Sequence, residues 1–145
     1  MEHAPAPLRR LRRPAQAAEA RLRAAEESDT RRVLLTQGGY YVATGVLPFV
    51  SRRAFETLTG PKREWWLVQT VGGLVTVIGG ALACAALREP STEVIAIAVG
   101  SAVTLAGIDV VYVAKRRIAP TYLIDAGAQL GVLAALAVSV RRRAE

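Results

Sequence analysis

Two carboxylates stand where carboxylates are expensive. Asp109 and Asp125 fall inside otherwise uncharged, apolar runs of this 145-residue chain, and an acid buried in a membrane helix normally faces a cavity, a partner or water. Asp109 comes about five residues before its run ends, and Asp125 about three after the next begins. If the runs are antiparallel helices, a rise of about 1.5 Å per residue sets both acids roughly 5 to 8 Å inside the same leaflet. Tyr112 follows Asp109 by three residues and Tyr122 precedes Asp125 by three, so each acid has a phenol on its own helical face. Gln129 lies one turn beyond Asp125, and Gln69, four residues into its own run, belongs to the same layer. Arg52, Arg53, Lys62 and Arg116 come from the segments that cap this leaflet and form its interfacial basic set.

Two chemistries suit such a layer. A polar pocket open to that face, with two acids that resist joint ionisation in low dielectric, would relay protons, bind a cationic or hydroxylated ligand, or act as general acid and base. In the other reading the aspartates are hydrogen-bonded by tyrosine or salt-bridged by arginine, and they fix helix register. Both readings stay open on the residues alone.

Other sites lack their residues. The single histidine is His3, so a Ser-His-Asp triad, a histidine metal site and haem ligation within the apolar runs have no ligands. No catalytic residue, metal or cofactor is assigned. Gly79-Gly80 sits inside an apolar run and forms no phosphate loop, while Gly60-Pro61-Lys62 lacks Walker spacing and reads as a turn. Cys84, the only cysteine, excludes an internal disulfide and reads as a small packing residue.

The elements that must carry the acids are set by where charge is missing. Hydrophobic residues make up 52% of the chain, and its charges crowd into residues 1–32 and 51–64 and into short clusters at 88–93, 115–117 and 141–145. Between them lie runs at 33–50, 65–87, 94–114 and 122–140. A hydrocarbon core of about 30 Å takes about 20 residues of helix. These runs are apolar on every side, unlike soluble helices with one apolar stripe. Nothing alternates like a barrel strand, and backbone groups in lipid must be satisfied internally. The fold class is therefore all-α: a transmembrane four-helix bundle with a basic, largely disordered N-terminal tail over 1–32 and a short basic tail over 141–145. The run 33–50 is the shortest and most polar, with Gln37, Tyr40, Tyr41 and Pro48.

The tail opens with prolines and arginines, then turns rich in Ala, Glu and Arg from Ala15 to Glu27, with Leu22 as its one large apolar residue. It is expected to be disordered or a frayed surface helix. About 30 polar residues precede the first run, so no cleaved leader is expected. Membrane lipids are the expected partners of the basic groups. Nucleic acid is not, because no aromatic residue is interleaved with the arginines.

With four spans, the tail (eight), the 88–93 loop (one) and the C-terminus (three) share a face that holds twelve of the 19 Lys and Arg. Both termini are then cytoplasmic, in an inner (plasma) membrane. If 33–50 failed to span, the division would be fifteen against four. Trp65 and Trp66 read as an interfacial belt and favour four spans.

Inside a bilayer, small residues let helices approach. Gly72, Gly79 and Ala83 share one side of the second run; Ala96, Gly100, Thr104 and Gly107 do so on the third, and Gly127, Gly131 and Ala135 on the fourth. Such ladders suit packing within the bundle, a homo-oligomer or a membrane partner protein.

The stretches YVATGVLPFVSRRAFETLTGPKREWWL (Tyr41 to Leu67) and IDVVYVAKRRIAPTYLIDA (Ile108 to Ala126) resemble a group of small uncharacterised bacterial membrane proteins with four helices, over roughly residues 35 to 140. In that group the Thr-Gly-Pro-Lys turn, Asp-Val-Val-Tyr and Tyr-Leu-x-Asp-Ala look like recurring features, matched here by Thr59 to Lys62, Asp109 to Tyr112 and Tyr122 to Ala126. Gln129 stands where some relatives are expected to carry an acid. More distantly the architecture resembles the DoxX-like four-helix proteins. The resemblance implies a fold and brings no activity. The leading expectation is a non-enzymatic membrane component that self-associates or binds a partner. Its alternatives are a small proton-linked carrier using the aspartates and a lipid-modifying enzyme with an intramembrane acid/base pair.

Overall fold

The computed structural model describes residues 6–88 and 90–144, so His3 and Pro5 lie outside the described residues. Five helices follow one another: α1 (Ala6–Val50), α2 (Arg52–Thr59), α3 (Trp65–Ala86), α4 (Thr92–Ala114) and α5 (Tyr122–Ala144). Of the two forms expected for the tail, its described part is helical from Ala6 and runs without a break into the first span. Ala, Glu and Arg are good helix formers, and a Glu27–Arg31 pair one turn apart, at 2.8 Å, adds local support. Gln16 to Arg21 remain exposed, as a helix with no apolar stripe requires.

Segment 51–64, read from sequence as a loop, contains the short helix α2. Ser51 is extended and its hydroxyl accepts from the Ala54 N–H at 3.2 Å, an N-cap. Gly60 ends the helix at φ 80, donating its N–H to Glu56 O, in a region that favours glycine. The end of α4 is closed by a Schellman pattern: Arg117 N–H donates to Tyr112 O and Arg116 N–H to Val113 O, both at 2.9 Å. Arg116 takes the left-handed position at φ 54, where glycine is usual.

Four stretches are long and apolar enough to cross a membrane: Glu27–Val50, Trp65–Ala86, Thr92–Ala114 and Tyr122–Arg141. Large apolar side chains lie bare along them, among them Val77 (71% exposed), Val103 (54%) and Leu130 (57%). Water would make that girdle an aggregation surface, whereas lipid makes it the ordinary exterior. The chain is a multi-span membrane protein.

Helix α1 organises the bundle. It packs most extensively on α3 and also on α5, which pairs with α4, while α3 and α4 hardly touch despite their short connection. The α1–α3 contact is a double glycine crossing: Gly38 meets Gly79 and Gly45 meets Gly72. A Cβ on Gly45 would stand 2.6 Å from Gly72 O, and one on Gly38 2.6 Å from Gly79 O, distances no side chain can occupy. Glycines seven apart on two antiparallel helices bring the backbones together twice along one seam. The half of the bundle away from α2 is filled by Leu34, Leu82, Ala86, Ala98 and Leu136, all buried.

Gly72 and Gly79 thus face α1, as a ladder should. The other two ladders turn outward. No atom outside the local helix lies within 4 Å of a Cβ built on Gly100, Gly107, Gly127 or Gly131, and Ala96, Thr104 and Ala135 are exposed. The buried stripe of α4 is instead Ala98, Ala102, Ala106 and Asp109. That of α5 is Ala126, Gln129, Leu136 and Ser139. Small residues occupy both faces of these helices, so spacing could not tell the inner one.

Candidate functional site: a polar cluster beside an apolar cavity

Asp109 on α4 is 5% exposed and Asp125 on α5 is half-buried. Antiparallel pairing of α4 and α5 sets the two acids near one another. The phenols expected for them are not the ones that serve. Tyr40 on α1 donates its hydroxyl to Asp125 Oδ1 at 2.5 Å, and Gln129 Nε2 donates to the same oxygen at 3.3 Å. Behind them the Tyr41 hydroxyl donates to Gln129 Oε1 at 2.9 Å. Gln37 Nε2 donates to Tyr41 Oη at 3.2 Å and to the Ala98 carbonyl at 2.8 Å. The result is a one-way chain of donors, Gln37 to Tyr41 to Gln129 to Asp125, joined at its end by Tyr40. Each member is a strong donor to its neighbour, and the last acceptor is a carboxylate oxygen.

Tyr112 lies off the buried stripe of α4, is 44% exposed, and carries Lys115 over its ring at 5.5 Å. Tyr122 does reach the region, but its ring meets Lys62 Nζ at 5.0 Å. Gln69 is half-buried on α3 and does not line the cavity described below. Arg53 and Arg116 are exposed.

Next to the cluster is a cavity of about 510 Å³. Its walls come from α1, α3 and α5, with Leu105 of α4, and α2 roofs it through Phe55, Leu58 and Thr59. Most of the lining is apolar; Tyr40, Tyr41, Asp125 and Gln129 gather the polar atoms on one wall. Helices α3 and α5 are not packed on each other. Leu67 and Val71 on one and Ile124 on the other line the cavity yet stay 47%, 47% and 76% exposed, so they form the lips of a side opening.

The roof is tied down at both edges. Thr121, before α5, donates to the Leu58 carbonyl at 2.7 Å. On the α3 side, Trp65 takes Phe55 edge-on at 5.9 Å and Arg52 over its face at 4.7 Å. Glu56 holds the turn after α2, accepting the Lys62 backbone N–H at 3.2 Å and Arg52 Nε at 3.1 Å. The Lys62 N–H and then the Arg52 guanidinium hold the Glu56 carboxyl below the usual range. Lys62 Nζ is turned onto the Thr59 carbonyl at 2.9 Å.

The residues that sequence reasoning left out are Gln37, Tyr40 and Tyr41. They were visible as the polar residues of the shortest run, where they weakened its hydropathy. Their spacing, with Gln37 and Tyr41 one turn apart, puts them on the α1 face that meets α4 and α5. Among the described residues no group of three or more His, Cys, Asp or Glu is arranged to hold a metal ion. No protein-family model, curated protein or solved structure matches the chain.

Proposed function

We propose that the chain is a non-enzymatic membrane component that holds one small hydrophobic or amphipathic molecule, taken sideways from the bilayer into the cavity under α2. The cavity itself carries this reading: about 510 Å³ of mostly apolar wall with a few converging polar groups on one side, the make-up of small-molecule sites in general. Its lips, Leu67, Val71 and Ile124, belong to two of the candidate spans, so a lipid-soluble ligand needs no aqueous route.

Two other uses of the acids are less well supported by the same geometry. A proton-linked carrier needs access from the far face, where Leu34, Leu82 and Leu136 fill the bundle. An intramembrane acid/base enzyme needs both groups on the ligand, yet Asp125 lines the cavity and Asp109 does not.

Val71→Trp places an indole in the cavity mouth without touching the polar cluster. Native mass spectrometry of protein released from native-membrane nanodiscs should show a small-molecule adduct on the wild type that this variant lacks. Equal adducts on both, or none on either, would count against the reading.

A second reading, contact between copies of the chain, is favoured by the outward Gly127, Gly131 and Ala135 on α5. Gly131→Ile should then lower the dimer fraction measured by single-molecule photobleaching in bilayers; an unchanged distribution argues against it. The placement we favour is a plasma membrane with both termini cytoplasmic, supported by twelve of 19 Lys and Arg on that face. The chain has two lysines, Lys62 and Lys115, both on the α2 side. A membrane-impermeant amine reagent should label them in intact cells, and protection until lysis would reverse the orientation.

A further inference from the structure

We infer that the molecule in this cavity carries one positive charge, an amine or quaternary ammonium on an apolar body, with Asp125 as its counter-ion. This rests on the cavity being a ligand site. Asp125 is the only charged side chain in the lining, and a carboxylate facing hydrocarbon is costly until a cation meets it.

Among the described residues, the cations near the cavity are engaged elsewhere. Lys62 Nζ is held by the Thr59 carbonyl and the Tyr122 ring, and Arg52 by Glu56 and the Trp65 face. What the cluster does supply is a set of donors. Tyr40 and the Gln37–Tyr41–Gln129 chain both end on Asp125 Oδ1, neutral donors that orient the carboxyl without cancelling a charge on it. An ionised carboxylate accepts at about four sites, so these two bonds do not exhaust it.

Asp109 sets how much charge the site can hold. It stands near Asp125 on the adjacent helix, is 5% exposed, and its Oδ2 is buried with no hydrogen-bond partner. Two close acids in low dielectric resist joint ionisation, so the pair amounts to one negative charge and calls for one positive charge on the ligand. The lining also includes the rings of Tyr40, Tyr41, Phe55 and Tyr122, and ammonium groups bind well among aromatic rings. A neutral alcohol would use the acceptors and leave the charge unbalanced. A zwitterionic lipid would bring a phosphate toward the same carboxylate.

The test is a matched set of twelve-carbon probes, dodecyltrimethylammonium, dodecanol, dodecylphosphocholine and dodecyl sulfate. Each is titrated into full-length protein in phosphatidylcholine nanodiscs, with empty discs subtracted. The ammonium should bind on the order of tenfold or more tighter than the alcohol, a difference of about 1.4 kcal/mol, and the sulfate weakest. Asp125→Asn should erase the preference while keeping alcohol affinity, and Asp125→Glu should retain it. Alcohol or phosphocholine binding as tightly as the ammonium overturns the inference, as does a preference that survives Asp125→Asn, while the cavity reading stands in each case. If no probe binds, the cavity reading fails and takes the inference with it. The comparison among probes on the wild type needs no variant, so it decides even if Asp125→Asn does not fold.

Discussion

At the scale of single residues, Gln37, Tyr40, Tyr41, Gln129 and Asp125 form one connected network across α1 and α5. Tyr41 is its hinge: 1% exposed, it accepts from Gln37 and donates to Gln129. Removing its hydroxyl leaves a buried amide oxygen without its donor. Tyr41→Phe should therefore lower stability by roughly 1 kcal/mol, toward the upper end for hydrogen bonds between membrane helices. Tyr112→Phe, whose ring faces outward under Lys115, should stay within about 0.5 kcal/mol. Thermal unfolding in one detergent checks both, and equal losses would mean the network is not what holds Gln129. The positions of Asp109 near the end of α4 and Asp125 near the start of α5 are legible in the sequence, since both follow from counting residues from the run ends. The identity of their phenol is not, because i to i+3 spacing describes neighbours on one helix and the donor that matters comes from another.

At the scale of elements, packing is decided by where backbones can touch. Gly38 and Gly45 have the same spacing as Gly72 and Gly79, and the two pairs interlock. A methyl group on Gly45 or Gly79 has to push a helix away, at about 1 to 3 kcal/mol for overpacking. Gly127→Ala meets open space and should be neutral or slightly stabilising through helix propensity. Melting temperatures of Gly45→Ala and Gly127→Ala in parallel test this, and a harmless Gly45→Ala would refute the close crossing. Four spans could be read from sequence because the absence of charge over some 20 residues is a property of each run by itself. Which ladder faces inward is a property of pairs. Helices α4 and α5 carry small residues on both faces, and their buried stripes are built on Ala98, Ala102 and Ala106 and on Ala126 and Gln129 rather than on glycine. Helix α2 has a local signal, Ser51 before Arg52 to Thr59 with Phe55 and Leu58 three apart, but eight residues are too few for apolar periodicity to separate a helix from a charged connection.

At the scale of the whole molecule, the bundle is divided across its thickness. One half is closed by large aliphatic side chains; the other, roofed by α2, holds the cavity and the acids. On the ligand reading proposed above, the side opening between α3 and α5 meets acyl chains and the Asp125 carboxylate selects for charge, and both need a bilayer around the bundle. The surroundings of the mid-helix girdle are therefore the most direct thing to measure. Nitroxide labels at Val77, Val103 and Leu130, introduced one at a time in a Cys84→Ser background and reconstituted into bilayers, report collisions with dissolved oxygen and with a water-soluble nickel complex. Oxygen should dominate at all three positions. Dominance of the nickel complex would mean that these faces see water, and the membrane-embedded site would be ruled out.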